Sequence, residues 1–469
     1  MHLSYNDVLR SWPADEQDAW RERIADQLRT ERIRLVVIDD DPTGIQTVHG
    51  CLLLTEFTPE TLAAAFADEA PFFYMLVNSR AMTEEEARKV VRKAVEAVLE
   101  ANRTLQYNLI FVSRSDSTLR GHFPAEPDTI TEVLAEHGIV PELPLLFIPA
   151  FFEAGRMTIE GVHYMRNGEE LIPVNETEFA RDNVFGYRHA RLTDYIVEKG
   201  GGMIAINEVA HIDLTALRRT DPQELAEWLR EWSDRRCISF DALDYGDLRR
   251  ISLAVLAQFS GQRRGRAVVI RSSSSLPKAL SGIDERPYVS ASSEGGRGVV
   301  VVGSHVKKST EQLMYLLESK LVQGVEIDVE AILNDEPDLM TEILGEVAAI
   351  YHKGLTPVLY TSRREVRCDD VAKRLALGAK ISQFLVEAVR ALPFRPDFLV
   401  SKGGITSHDI LTHSLEVRVA RVAGQAAASI PTIQLGEDAH FAKMHYVIFP
   451  GNVGAAETLR EVVERLQKR

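Results

Sequence analysis

Cysteine is scarce in this 469-residue chain, where Cys51, Cys237 and Cys368 lie far apart and without metal-ligand spacing. This scarcity argues against a disulfide framework and favours a reduced, cytosolic setting. No apolar run is long enough to cross a membrane, and the polar first 30 residues lack the apolar core of a signal peptide. We therefore predict a cytoplasmic protein without a membrane partner.

Positive charge is also in deficit, because 54 Lys and Arg residues face 69 Asp and Glu residues and leave a formal net charge of -15. The deficit argues against nonspecific binding to nucleic acid, although a local basic pocket could still hold phosphate. Hydrophobic residues make up 45% of the chain and charged residues 26%, which is the composition of a globular protein. We predict no nucleic-acid partner.

The length of the chain favours two domains over one. Residues 279–297 are rich in Ser, Gly, Glu and Pro and are predicted to be a linker. It would join an N-terminal domain at 1–278, which begins with a helical prelude over 1–30, to a C-terminal domain at 298–469. Short β-branched runs alternate with amphipathic helical patterns in both, which predicts an α/β fold with a mostly parallel, helix-flanked sheet in each domain.

Charged loops follow four predicted strands of the N-terminal half. Residues 39–44 (DDDPTG) come directly after the apolar run 33–38, and the loops at 78–80, 113–121 and 149–163 follow later strands. Because the carboxyl ends of parallel strands share one edge of a sheet, these loops should meet there. Arginine forks bind carboxylates and aspartates accept hydrogen bonds from hydroxyls. The loops therefore predict a small, hydroxyl-rich anion as ligand, held by Asp41, Arg80, Asp116, Arg120 and Arg156. The plainer alternative is that these arginines pair with nearby acids.

Glycine-containing turns follow three predicted strands of the C-terminal half. They begin at Gly303, Gly403 and Gly451, and each would present backbone amides to a phosphate. None matches the P-loop pattern or the dinucleotide fingerprint. Spacing alone predicts a phosphate-rich ligand, and three such turns in one domain favour a nucleotide.

Taken together, these blocks resemble one family, the four-carbon acid sugar kinases. The matching blocks span roughly residues 33–460 and include 40–44 (DDPTG), 116–121 (DSTLRG), 403–406 (GGIT) and 451–454 (GNVG). The sequence departs from the family pattern at positions that line the presumed sugar-acid pocket. The family usually has alanine at positions 39 and 45, leucine at 42 and lysine at 114, where this chain has Asp39, Ile45, Pro42 and Arg114.

The resemblance implies an enzyme that uses ATP with Mg²⁺ to phosphorylate a hydroxyl of a small sugar acid such as threonate, erythronate or 3-oxo-tetronate. It implies an N-terminal sugar-acid-binding domain and a C-terminal nucleotide-binding domain that face each other across a cleft holding the active site. No residue is assigned as a metal ligand, and a homodimer is a further expectation.

The site residues implied by the resemblance fall into three sets. Asp40, Asp41 and Asp116 would face the substrate hydroxyls, one of them as general base. The substrate would also be bound by Thr43, Arg80, Ser117, Arg120 and Arg156. The nucleotide would be bound by Ser304, Gly403, Gly404, Ile405, Thr406, Gly451 and Asn452.

Two alternatives from other classes stay open. The pattern Asp39-x-Asp41-x-Thr43 after an apolar strand also fits a haloacid-dehalogenase-like, Mg²⁺-dependent phosphatase, in which the first aspartate is the nucleophile. This interpretation leaves residues 298–469 without a role. The other alternative is a non-catalytic sensor of a nucleotide or sugar acid. Product formation would separate a kinase from a sensor, and binding of ATP would separate both from a phosphatase.

Overall fold

The computed structural model describes residues 2–14, 18–261, 263–290, 296–304, 306–363 and 371–467, with side chains omitted at 18 and 371–376. Part of the predicted linker, 291–295, and Cys368 lie outside the described residues. The chain divides into two compact units, Met1–Glu285 and Arg286–Arg469. Within the described residues, no helix combines the length and the apolar character needed to cross a bilayer.

The first unit alternates strands and helices along the chain. Its strands are β1 (Leu3–Ser4), β2 (Ile33–Asp39), β3 (Leu52–Leu54), β4 (Phe72–Leu76), β5 (Asn108–Arg114), β6 (Leu145–Ile148), β7 (Arg156–Ile159), β8 (Val162–Asn167), β9 (Glu170–Pro173), β10 (Val209–Ile212), β11 (Cys237–Phe240) and β12 (Ala267–Ser272). Its helices are α1 (Tyr5–Ser11), α2 (Asp18–Thr30), α3 (Pro59–Ala67), α4 (Glu84–Leu105), α5 (Ala125–Glu136), α6 (Leu192–Lys199), α7 (Leu214–Arg219), α8 (Pro222–Glu231), α9 (Tyr245–Leu256) and α10 (Ser275–Ser281).

The main sheet of the first unit is parallel throughout. Its strand order is β10-β11-β6-β12-β5-β2-β4-β3. The central strands β2 and β5 are buried along their whole length, as continuous apolar runs covered on both faces should be. Helix α4 begins with the predicted capping box of Thr83 and Glu86 and packs its Ala and Val stripe inward.

A second, antiparallel sheet of the first unit has the order β1-β9-β8-β7. The predicted helical prelude contains α1 and α2, and the two-residue strand β1 precedes them and pairs with β9. Helix α10 ends at Ser281, so the first residues of the predicted linker are helical.

The second unit has a mixed sheet. Its strands are β13 (Gly298–Val302), β14 (Val322–Ile327), β15 (Thr356–Thr361), β16 (Phe398–Lys402), β17 (Val419–Ala427), β18 (Ile430–Leu435) and β19 (His445–Phe449). Its helices are α11 (Lys307–Leu317), α12 (Val329–Leu333), α13 (Leu339–His352), α14 (Val371–Arg390), α15 (Gly404–Asp409) and α16 (Thr458–Gln467).

The strand order of this sheet is β17-β18-β19-β16-β13-β15-β14, parallel from β19 to β14 and antiparallel in the β17-β18-β19 portion. Its core packs strands β13, β16 and β19 against α11 and α16 through Val, Leu and Phe side chains. The two-domain α/β fold with mostly parallel sheets is confirmed. The order of the strands in each sheet determines which of the turns after the strands lie next to one another.

Candidate functional site

Three neighbouring strands of the first unit carry the charged loops. Strand β2 lies between β4 and β5, so the loops that follow Asp39, Leu76 and Arg114 leave the same edge of the sheet side by side. Strand β12 lies next to β5, and β6 lies next to β12, so their loops continue along this edge. The structure therefore brings together the charged residues that the sequence singles out in this half.

Arg80 joins the two aspartates of the first loop. Its guanidinium makes a two-pronged ion pair with Asp40, at 2.6 and 3.0 Å, and its Nη1 lies 3.3 Å from Asp41 Oδ2. The backbone amide of Thr43 donates to Asp41 Oδ1 at 2.8 Å. Burial acts to raise the pKa of Asp41, but Arg80 and the hydrogen bonds from Thr43 contribute to lowering it. Asp41 is therefore held ionised at the partly exposed side of the cluster.

Asp116 and Arg120 form a second pair. Arg120 Nε donates to Asp116 Oδ2 at 2.7 Å, and Thr118 Oγ1 donates to the same oxygen. No residue in the described part of the chain donates to Asp116 Oδ1, and the side chain is 14% exposed. Burial acts to raise the pKa of Asp116, but Arg80, Arg120 and these hydrogen bonds hold it well below its usual range. Asp116 is thus an ionised carboxylate with one oxygen open to a ligand.

Arg156 differs from the other two arginines, because it has no carboxylate partner among the described residues. It donates to the carbonyl of Ala154 and lies 3.5 Å from Met165 Sδ, and its buried Nε has no partner. Burial lowers the pKa of Arg156, while the charge of Asp116 opposes that shift. Pairing with nearby acids therefore describes Arg80 and Arg120, whereas Arg156 is a largely buried cation without an acid partner among the described residues.

Asp39 lies buried behind this cluster. It pairs with Arg114 at 3.2 Å, and its Oδ2 is buried without a hydrogen-bond partner in the described structure. A Cβ added to Gly44 would collide with the Asp39 carboxylate, so the glycine packs directly against it. Burial, with the charges of Asp40 and Asp41, raises the pKa of Asp39 to about 8 despite Arg114. An enclosed carboxyl group that is largely protonated at neutral pH is a poor nucleophile, which disfavours the phosphatase interpretation.

Two supporting serines were missed by sequence reasoning. Ser115 Oγ donates to Asp40 Oδ2 at 2.6 Å, and Arg114 Nη2 donates to Ser274 Oγ at 2.9 Å. Ser274 belongs to a run of four buried serines, 272–275, that begins at the last residue of strand β12. The only signal in the sequence was polar residues at the end of a β-branched run, a position beside the site in a parallel sheet.

His163 fixes the loop that carries Asp116. Its Nε2 lies 2.8 Å from the carbonyl oxygen of Ser117, and its Nδ1 lies 2.9 Å from Thr158 Oγ1. Burial lowers the pKa of His163 to about 4, so the ring is neutral near pH 7. A carbonyl only accepts, so Nε2 carries the proton and Thr158 donates to Nδ1. Ser117 is thereby held through its backbone and not through its hydroxyl.

The second unit repeats this arrangement with glycine turns. Strand β16 lies between β13 and β19, so the turns after Val302, Lys402 and Phe449 leave the sheet next to one another. A Cβ added to Gly403, whose φ is +116°, would lie 3.1 Å from Ser304 Cβ, and one added to Gly451 would lie 3.6 Å from Ser304 Oγ. The structure therefore brings the three predicted turns together around Ser304.

A cavity of about 270 Å³ opens beside two of these turns. Its lining combines the hydroxyls of Ser304 and Thr406 and several glycines with the apolar side chains of Ile381 and Leu385. Its lining residues are Gly303, Ser304, Gly378, Ile381, Ser382, Leu385, Gly403, Gly404, Ile405 and Thr406. Of the remaining predicted residues, Ile405 is 75% exposed on the rim, and Asn452 is exposed on the third turn.

Two groups of the second unit that hold the turns were not among the predicted site residues. Arg363 donates to the carbonyls of Val302 and Ser304, at 3.0 and 2.6 Å. Gln312 donates to the carbonyls of Val453 and Ala455, at 3.0 and 2.7 Å. Gln312 lies in a block that resembles the nucleotide-binding segments of the family, whereas Arg363 stands in no such block. Within the described residues, no group of three or more His, Cys, Asp or Glu side chains is arranged to hold a metal ion.

Comparison with known proteins gives two matching family models. A sugar-binding N-terminal domain covers residues 35–280, and a nucleotide-binding C-terminal domain covers residues 299–459. D-erythronate kinase from Heliobacterium modesticaldum (strain ATCC 51547 / Ice1) is 24% identical over 324 residues, which is 67% of this chain and 67% of that protein.

Two solved structures share the fold. Haemophilus influenzae protein HI1011 has a TM-score of 0.67 at 16% identity, and a Salmonella typhimurium LT2 protein has a TM-score of 0.68 at 14% identity. Each likeness covers 92% of this chain and 100% of the other. The matched domains define a two-domain protein built to bind a sugar and a nucleotide. The chain belongs to the four-carbon acid sugar kinase family.

Proposed function

We propose that this protein is a kinase that transfers the γ-phosphoryl group of ATP, with Mg²⁺, to a hydroxyl of a small four-carbon sugar acid such as threonate, erythronate or 3-oxo-tetronate. The observation that carries the proposal is the juxtaposition of Arg156, which lacks a carboxylate partner among the described residues, with the open oxygen of Asp116. The guanidinium of Arg156 suits a carboxylate, and the open oxygen of Asp116 suits a hydroxyl. The relative that phosphorylates erythronate supports the same substrate class.

The aspartates of the first unit's site take different roles in this proposal. The Asp40 carboxylate already accepts from Arg80 and Ser115 and lies 3.4 Å from Arg114, so it orients these groups instead of the substrate. Asp116 Oδ1 is open, and the low pKa keeps the carboxylate ionised, so that it can accept a hydrogen bond from the hydroxyl and then take its proton as general base. Asp41 would accept from a second hydroxyl. Arg80 and Arg120, with Thr43 and Ser117, would complete the substrate site.

The second unit fits a nucleotide. A Cβ at Gly303 would collide with Thr406, and Gly403 has a backbone conformation that favours glycine, so bare backbone lies open to the cavity. Ser304, Gly403, Gly404, Thr406 and Gly451 would bind the phosphates, and the apolar lining residues Ile381 and Leu385 would contact the base, with Ile405 at the rim. Asn452 would border the third turn.

Magnesium suits this arrangement because it is usually bound through substrate phosphates and water, with few protein ligands. When bound, it would neutralise charge on the transferring phosphoryl group. Positioning and charge stabilisation supply most of the catalysis in phosphoryl transfer. The predicted cleft, the cytoplasmic location and the homodimer remain predictions.

The decisive experiment is ADP release by the full chain with Mg-ATP and a panel of four- and five-carbon sugar acids. The panel includes threonate, erythronate and their 3-oxo forms, and erythritol serves as the matched substrate without a carboxylate. We expect release with at least one acid and at least tenfold lower kcat/KM with erythritol, because the alcohol leaves Arg156 uncompensated.

The other outcomes separate the alternatives. Binding of ATP without turnover on any acid would indicate the sensor. Release of phosphate from a phosphorylated acid, without any use of ATP, would support the phosphatase interpretation. Equal activity on erythritol and erythronate would refute carboxylate recognition by Arg156.

A further inference from the structure

A fully buried lysine lies where the glycine turns of the second unit meet. Lys402 is the last residue of β16, directly before Gly403, and its side chain has no exposed surface. Its Nζ donates to the carbonyl oxygen of Pro450 at 3.0 Å and contacts that of Gly451 at 3.4 Å, and it lies 4.1 Å from the ring centroid of Phe449. The ammonium therefore ties the second turn to the third.

The charge of this lysine is not compensated by any acid in the described parts of the chain. Lys308 on α11 is the charged group that faces it, and like charges make the ammonium less favourable. Burying a cation without a counter-charge is costly unless a ligand supplies one. An ammonium also has three N–H donors, and the two carbonyls account for two of them.

The backbone of the third turn, residues 451–454, also favours an anion. Its carbonyls accept from side chains: Gly451 from Lys402 and from Ser309, and Asn452 from Lys308 at 3.4 Å. The amides of residues 451–454 donate to no acceptor in the described structure. Because ammonium groups and a hydroxyl bind the carbonyl oxygens of this turn, its backbone N–H groups are the polar groups that remain for a ligand. An anion requires such donors.

We propose that Lys402 is the counter-charge of the nucleotide polyphosphate and takes up a proton from solvent when the nucleotide binds. This inference rests on the proposed function and assigns a residue of the same site. Burial, with the nearby Lys308, lowers the pKa of Lys402 to about 7, so the free protein holds a mixture of ammonium and amine near neutral pH. A polyphosphate beside the amine would raise that pKa and draw the proton in.

The test is calorimetric titration of the full chain with Mg-ADP at pH 8, where the nucleotide phosphates are fully ionised, in two buffers with different enthalpies of ionisation. We expect uptake of about one proton per nucleotide. In the wild-type protein we also expect the affinity to fall about twentyfold between pH 6.5 and 8.5, because at the higher pH binding requires protonation of the amine.

Substitutions place the effect on this side chain. Lys402→Met should abolish proton uptake and weaken Mg-ADP binding at pH 6.5 at least tenfold. Lys402→Arg, which is always charged, should keep the affinity within about threefold at pH 6.5 while removing both the proton uptake and the pH dependence. Lys307→Met is the matched control, because Lys307 is an exposed neighbour on α11 paired with Glu311, and it should behave as wild type.

Each result decides the proposal. Mg-ADP binding by wild type without proton uptake would overturn the role of Lys402 and leave the proposed kinase intact. Proton uptake that persists in the Lys402→Arg protein would assign the proton to another group and also overturn it. Absence of any Mg-ADP binding by wild type would overturn the proposed function and this inference together. If Lys402→Met does not fold, the wild-type and arginine titrations still decide.

Discussion

The two units build their candidate sites on the same plan with opposite chemistry. Each places three polar turns on three adjacent parallel strands, β4-β2-β5 in the first unit and β13-β16-β19 in the second. In the first unit these turns carry carboxylates and guanidinium groups that are already paired with one another, and Arg156, which follows β6, has no carboxylate partner among the described residues. In the second unit the turns carry glycines, and a buried lysine has no acid beside it in the described residues.

The difference reflects the two ligands that we propose. A sugar acid offers one carboxylate and several hydroxyls, so its site needs acceptors and one spare cation at fixed positions, which a network of ion pairs provides. A polyphosphate is already strongly charged and accepts from many donors, so its site needs close backbone approach and positive charge. The same edge of a parallel sheet thus serves either ligand according to which residues follow the strands.

The largest effect should come from the charged site. Asp116→Asn should lower kcat at least a hundredfold, since the amide cannot accept the hydroxyl proton, while the Tm changes little because the amide oxygen still accepts from Arg120. ADP release under saturating substrate measures this. Glu85→Gln, an exposed carboxylate on α4, is the matched control and should be unaffected. Near-normal turnover of Asp116→Asn would remove Asp116 from the base role.

An intermediate effect should come from the glycine site. Gly403 has φ +116°, where a side chain is strained, so Gly403→Ala should raise the KM for ATP about tenfold and cost about 1–2 kcal/mol of stability. The matched control is Gly345→Ala in the interior of α13, where an added Cβ meets open space, and this change should stabilise by about 0.5–1 kcal/mol. An unchanged KM in Gly403→Ala would show that backbone shape at this turn does not bind the nucleotide.

The smallest effect should come from Asp39, the carboxyl group that is buried behind the charged site. The folded-state pKa of Asp39 is raised to about 8, above the unfolded value near 4. The folded state therefore holds a proton that the unfolded state has lost, and stability falls as the pH rises from about 4 to about 8. Asp39→Asn removes this penalty, so the gain in stability relative to the wild type should be larger at pH 8.5 than at pH 4.5, by at least about 1 kcal/mol.

Denaturant unfolding at the two pH values measures this prediction. The matched control is Asp68→Asn, an aspartate of the same unit outside the site, which should show no such pH-dependent gain. A destabilised Asp39→Asn protein at pH 8.5 would mean that the ion pair with Arg114 outweighs the cost of burial.

Much of the fold was readable from the sequence, for local reasons. The runs at 33–38 and 299–302 are short, apolar and β-branched, which is what strands buried on both faces require. The polar residues come directly after these strands in the sequence. In a parallel sheet they must therefore lie at the edge formed by the carboxyl ends of the strands. The order of the strands, which makes β2 the neighbour of both β4 and β5, comes from long-range pairing and cannot be read from any one segment.

The parts of the site that sequence could not predict depend on side chains reaching across the fold. Arg80 and Arg156 look alike in the sequence, yet one is paired with Asp40 and the other has no acid beside it among the described residues. Lysine is seldom buried, so nothing in the pattern indicated that Lys402 lies beneath the turns and not in solvent. Arg363 reaches Ser304 from the end of another strand, and only the folded sheet brings them together.

The packing of Gly44 against Asp39 also restricts how this sequence can change over time. Position 44 can acquire a methyl group only if the Asp39 carboxylate moves from its place beside Arg114, since the two would otherwise overlap. A smaller residue at position 39 removes the obstacle. Mutational paths that alter both positions therefore disturb the ion pair least when position 39 changes first.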